Sequence, residues 1–121
     1  MNHKAKKMIL QDTNYYAKAC MKAWLICEAC VYMELSKENP DTQVIHECHD
    51  CAETCFALAC QLITQQTENI DRLAFLCMLH CRQCAIICDK YQEVDDMHYC
   101  GSACITCSII VRDLIAPINL N

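Results

Sequence analysis

Glycine and proline are almost missing from this chain: one glycine, Gly101, and two prolines, Pro40 and Pro117, serve 121 residues. Loop-rich folds and architectures with many tight turns use both residue types repeatedly, so their scarcity excludes such folds and points to long helices. No stretch approaches the roughly 20 apolar residues of a membrane span, and a soluble protein is expected. Positive charge is also short. Ten Lys and Arg against fifteen Asp and Glu give a formal charge of −5, and Lys4, Lys6 and Lys7 crowd the beginning. Without a basic stripe to neutralise phosphates, nucleic acid is excluded as a partner. The opening "MNHKAKKMILQD" offers only Met8-Ile9-Leu10 where an export signal carries an apolar run of about 7–15 residues.

What the chain does have is cysteine, fourteen of them. In a short secreted protein that count means a disulfide framework. A backbone so poor in turn residues, with no export signal, argues instead for a reducing, cytoplasmic compartment, where clustered cysteines serve as ligands or catalysts.

Breakers divide the chain into four segments. "SKENPDT" (36–42) supplies a stop and a start, with Asn39 as N-cap and Pro40 at the first helical position. "TQQTEN" (64–69) holds a second cap, Thr67 or Asn69; "EVDD" (93–96) holds a third, Asp95; Pro117 closes the last helix. Helices are predicted over about 12–36, 40–64, 69–92 and 96–115, each about 30–36 Å long. They form one domain, 12–116, between an N-terminal tail or short extra helix (1–11) and a C-terminal tail (117–121). Connections this short make neighbours antiparallel, which gives an all-α, up-down four-helix bundle.

The cysteines repeat with the helices. In "CMLHCRQCAIIC" (77–88), Cys77, Cys81, Cys84 and Cys88 fall within roughly 60° of one another at about 100° per residue. Cys100, Cys104 and Cys107 in "CGSACITC" do the same, as do Cys48, Cys51 and Cys55, while Cys20, Cys27 and Cys30 form the stripe of the first helix. These are the seam positions that normally carry Leu and Ile. Only Cys60 falls off its stripe, about 120–180° away. The expected product is a core lined with thiols.

Plain packing accounts for one or two buried cysteines. Thirteen on the inner stripes would leave a core short of volume. Disulfides within one helix constrain almost nothing, and the cytosol would reduce those between helices. "CEAC" (27–30) and "CHDC" (48–51) have a zinc-like spacing, but zinc knuckles occupy tight turns and most thiols would be left over. The ferredoxin run ending in Cys-Pro is missing, no Cys-x-x-Cys precedes a His, and no Glu-x-x-His pair exists for a di-iron site.

Soft thiolates select Cu(I), zinc or iron–sulfur clusters. Zinc wants four tetrahedral ligands; Cu(I) accepts two or three. Cysteines four apart, such as Cys51/Cys55, Cys77/Cys81, Cys84/Cys88 and Cys100/Cys104, lie about 5–6 Å apart at Cβ and can pinch one ion. A bis-thiolate unit carries −1, so stacked units in a low-dielectric core favour sulfurs that bridge two ions. Unshared pairs would hold about seven ions, and bridging raises this toward about one per thiol.

With these spacings the chain from about 12 to 115 resembles the bacterial copper storage proteins, four-helix bundles whose inward cysteines hold many Cu(I) ions. The resemblance implies a cytosolic member that is not an enzyme, with copper exchanged through chaperones or small thiols, and a homotetramer. It implies ligands at Cys20, Cys27, Cys30, Cys48, Cys51, Cys55, Cys77, Cys81, Cys84, Cys88, Cys100, Cys104 and Cys107, and extends to Cys60 less directly.

The two ends of the core differ. Leu58, Leu62, Ile70, Leu73, Val111 and Leu114 form an apolar plug at one end. Glu34, Tyr91 and Met97 lie on or beside the inner stripes at the other, with Met33, His46, His49 and His98 at similar height. Copper is expected to enter there, handed on by the Met97 thioether, with Glu34 and His98 as further mouth residues. His46, His49 and His98 point away from the core by helical phase. His80 flanks the stripe beside Cys81 and reads as a buried imidazole, and Trp24 reads as core. Two other functions fit a cysteine-rich bundle: a thiol redox buffer or sensor, and a zinc or metallothionein-like sink. Reactive sensor thiols are exposed and low in pKa, whereas these are expected to be buried. No nucleophile–base pair calls for catalysis.

Overall fold

The near-absence of helix breakers is realised as four long helices. The structure, a computed structural model, describes residues 13–66, 68–91 and 95–115. Helix α1 is Thr13–Leu35, α2 Thr42–Ile63, α3 Ile70–Asp89 and α4 Asp95–Val111, and a 3₁₀ turn, Arg112–Leu114, follows. Among the described residues there is no strand. The expected tails, the Thr67 cap and Pro117 lie outside the described residues, as does the side chain of Asp95.

Each helix packs on its neighbour in sequence, and α1 closes the ring against α4. This is a four-helix bundle. Its core is unusual in composition: Ala17, Ala23, Ala52, Ala59 and Ala74 are buried between the cysteine stripes. Interaxial distance depends on the side chains at the contact, so alanines let the helices approach closely enough for facing sulfurs to meet. Bulkier side chains close one end, where Leu58, Leu62, Ile70, Val111 and Leu114 are fully buried and Leu73 packs partly against them.

Two local expectations change. The second helix begins at Thr42 rather than Pro40, and its N-cap is Asp41, not Asn39. The Asp41 carboxylate accepts from the backbone N–H groups of Gln43 and Val44 and from the Tyr91 hydroxyl of α3's trailing turn. A carboxylate satisfies those orphan donors better than the Asn39 amide two residues upstream could. Asn69 does occupy the N-cap position of α3, but its side chain makes no capping hydrogen bond. Trp24 is the second change. Alanine and cysteine fill the inner positions of α1, so the indole is only half-buried, its ring 4.9 Å from that of Phe56 on α2.

At the end of α2, Gln65 takes a left-handed φ of 57°. The Gln66 N–H reaches the Gln61 carbonyl at 2.9 Å, and that of Gln65 reaches Leu62 at 3.2 Å. This double closure usually employs glycine, which the chain does not place there.

The Asp41 cap predicts a measurable pH effect. The Tyr91 hydroxyl and the Val44 amide hold the Asp41 carboxyl below its ordinary 3.8. A depressed folded pKa contributes stability above the unfolded pKa and loses it as pH falls through the folded one. Asp41→Ala should therefore lower the thermal midpoint by several degrees at neutral pH, with the gap closing below about pH 4. A gap that stays constant into acid would reject this role.

Candidate metal centre

Helical periodicity turns one stripe of each helix inward, and the structure shows what those stripes carry. Thirteen of the fourteen cysteines are buried, and all fourteen are free thiols. Cys60 is the exposed one, which follows from its phase on α2.

The sulfurs approach one another mainly between helices. Cys27 on α1 lies 3.5 Å from Cys104 and 3.8 Å from Cys100 on α4, and 3.9 Å from Cys84 on α3. Cys48 meets Cys84 at 3.5 Å, Cys51 meets Cys81 at 3.6 Å, and Cys55 meets Cys77 at 3.5 Å. Within a single helix, Cys77 and Cys81 are 4.0 Å apart. Pairs four residues apart on one helix are thus not the main unit; the shortest distances cross the bundle. These separations are far longer than the roughly 2.05 Å of a disulfide, yet short enough for one ion to span two sulfurs.

Four sets of sulfurs each lie within 4.8 Å of one another: Cys48, Cys84, Cys88 and Cys100; Cys27, Cys84, Cys100 and Cys104; Cys51, Cys81 and Cys104; and Cys55, Cys77, Cys81 and Cys107. The sets overlap. Cys84 and Cys100 join the first to the second, Cys104 the second to the third, and Cys81 the third to the fourth. The core therefore holds one continuous ladder of sulfur, not four isolated sites. Cys30 extends it through Cys48 and Cys100, and Cys20 through Cys77 and Cys107.

Crowding makes the protons unequal. Cys84 is pushed up by its hydrogen-bonding interactions with the neighbouring thiols, Cys100 first and then Cys104, with burial adding to the effect. Its partner Cys48 is pulled down, because Cys100, Cys27 and Cys30 can each donate to its thiolate. A buried thiolate is thus stabilised only by S–H groups beside it, and a second thiolate next door is opposed. A metal cation held by these sulfurs would remove that conflict by taking the place of their protons.

The residues expected around the mouth divide. Met97 and Glu34 are both 4% exposed. Glu34 is engaged, its carboxylate accepting from Lys37 Nζ and from the Asp41 backbone N–H, each at 2.9 Å. With the Tyr91–Asp41 hydrogen bond, it clasps the α1–α2 connection to the end of α3. Periodicity carried no sign of that clasp, since its partners lie in a connecting loop. Met33, His46, His49 and His98 are exposed, and His49 pairs with Glu53 at 3.1 Å. His80 is half-buried. No helix among the described residues is long and apolar enough to cross a membrane.

Against this geometry, comparison with known proteins gives one result: a family model described as "Copper storage protein" matches residues 9–116. No curated protein and no solved structure matches the chain.

Proposed function

Since the chain belongs to the copper storage protein family, we propose that it sequesters many Cu(I) ions in a reducing cytosol, on the thiolates of its thirteen buried cysteines. The observation that carries this reading is the overlap of the sulfur sets through Cys81, Cys84, Cys100 and Cys104. Shared sulfurs can each bridge two ions, which cuts the negative charge per metal and removes the main electrostatic objection to filling a low-dielectric core. Soft, polarizable thiolates in sets of three and four at variable spacing suit Cu(I), which does not demand a tetrahedron. Zinc would favour separate four-ligand sites. A redox sensor would favour exposed thiols of low pKa, and Cys60 alone has that exposure.

Storage involves no bond-making in a substrate, and the cysteines need only bind and release. Alternating helix direction belongs to the same reading: Cys48 with Cys84, Cys51 with Cys81 and Cys55 with Cys77 ascend one helix while descending the next. Copper enters at the Glu34 end, because the opposite end is sealed by leucine, isoleucine and valine. Met97, buried at the mouth beside the ladder, offers a neutral thioether as the first soft ligand.

Anaerobic titration of the reduced protein with Cu(I) against a competing chelator tests the reading. Storage predicts tight uptake of roughly ten or more ions per chain. Saturation at a few ions would support a zinc-type module instead, and no uptake would reject metal storage altogether. Followed in time, the same titration should show slower filling and unchanged capacity for Met97→Leu. An unchanged rate would remove Met97 from the path.

A further inference from the structure

A groove of about 500 Å³ runs between α3 and α4, and its lining includes Ala85, Cys88, Asp89, His98, Gly101 and Ser102. The storage ladder does not account for it. Its breadth comes from small residues: Ala85 on one wall, and on the other the only glycine of the chain, Gly101. A Cβ at Gly101 would stand 3.5 Å from the Cys88 Cβ and 3.9 Å from the Ala85 carbonyl oxygen. Any longer side chain there would therefore grow across the groove over Cys88. Cys88 is only 2% exposed, yet its residue lines both this groove and the first sulfur set, with Cys48, Cys84 and Cys100. The groove is thus a place where only the wall formed by Cys88 stands between a molecule outside the bundle and the first sulfur set.

We propose that this groove is a second way in beside the Met97 mouth: it seats a small peptide thiol carrying Cu(I), and the ion passes from the carrier's sulfur to Cys88, whereas copper that comes without such a carrier takes the mouth. The proposal rests on the storage reading above. Copper(I) in a reducing compartment is held by soft thiolates, so it arrives attached to one. The groove's volume lies within the range that encloses small ligands. Its lining offers His98, Ser102 and Thr106 as donors for a short peptide's carboxylates, and Ile86 and Ile105 as apolar walls for its carbon stems. Transfer is ligand exchange with no change in oxidation state. The Cu–S bond to the carrier breaks, a Cu–Sγ bond to Cys88 forms, and the Cys88 proton leaves on the carrier's thiol. Cys84 and Cys100 then lead onward, since both belong to the next set as well.

The test compares two donors on the full reduced chain: the Cu(I)–glutathione complex, which the groove should seat, and the Cu(I)–acetonitrile complex, which carries no thiol or peptide. Gly101→Leu fills the groove while leaving every cysteine in the chain, and it should fold, because leucine is the better helix former. Ser102→Trp, at an exposed position on the rim, carries the test if Gly101→Leu loses helicity. Filling from the glutathione complex should slow by about tenfold, the scale of losing a modest binding contact, while filling from the acetonitrile complex and final capacity stay unchanged. Equal slowing with both donors, or no slowing in a folded variant, would overturn the seat and leave storage intact. A wild-type chain that takes up copper from neither donor would overturn storage itself, and the seat with it.

Discussion

Filling the reduced protein with Cu(I) should raise its thermal midpoint by tens of degrees, and a strong Cu(I) chelator should return it to the starting value. The metal-free core is light, built from alanine and cysteine where leucine and isoleucine usually sit, and its thiols interact through weak S–H contacts of 3.5–4.0 Å. Each ion bound to the folded chain at a free concentration about a thousandfold above its dissociation constant adds about 4 kcal/mol. Three such ions already match the roughly 5–15 kcal/mol that holds an ordinary domain together. At roughly 4 °C per kcal/mol for a chain of this size, a shift of tens of degrees follows. The unfolded chain also offers thiols, which trims the effect without cancelling it, because only the fold brings sulfurs from four helices together. Circular dichroism melts of metal-free and loaded protein, under anaerobic conditions, give the comparison. A midpoint unchanged by ten equivalents of copper would mean that the metal binds outside the core.

The second large effect concerns which cysteine is lost. Cys84 belongs to two of the four overlapping sets, whereas Cys60 is exposed and belongs to none among the described residues. If shared sulfurs bridge ions, Cys84→Ala should cost about two ions of capacity and Cys60→Ala none. Alanine is already common in this core, so the substitution leaves a sulfur-sized gap and not a misplaced polar group. Competition titration on the two variants and the parent measures this directly. Equal losses would mean that each thiol acts alone and that sharing has no part in capacity.

Much of the architecture was legible because helices announce themselves locally. One glycine and two prolines cannot interrupt a chain of this length often, and cysteines at spacings of three and four must share a helix face. The exposure of Cys60 followed from the same arithmetic, as did the apolar end around Leu58, Leu62 and Ile70. The N-cap did not: Asn39 and Pro40 formed a plausible start by composition, and Asp41 prevailed because Tyr91, fifty residues away, also donates to its carboxylate. Glu34 was legible as a residue near the inner stripe. Its engagement with Lys37 and the Asp41 backbone was not, because those bonds depend on how the connecting loop folds back.

By itself the sequence determined the helices, the stripe of thiols on each and the soft-metal chemistry such a stripe allows, because all three depend on residue type and a fixed turn per residue. Only the tertiary structure decided that Cys27 faces Cys104, that Cys48 faces Cys84, and that Cys81, Cys84, Cys100 and Cys104 each serve two sets. It also opened the groove beside Cys88. Those features depend on the axial register and spacing of separate helices, which small residues at their contacts and the clasp between their ends set together, and no single helix carries that information.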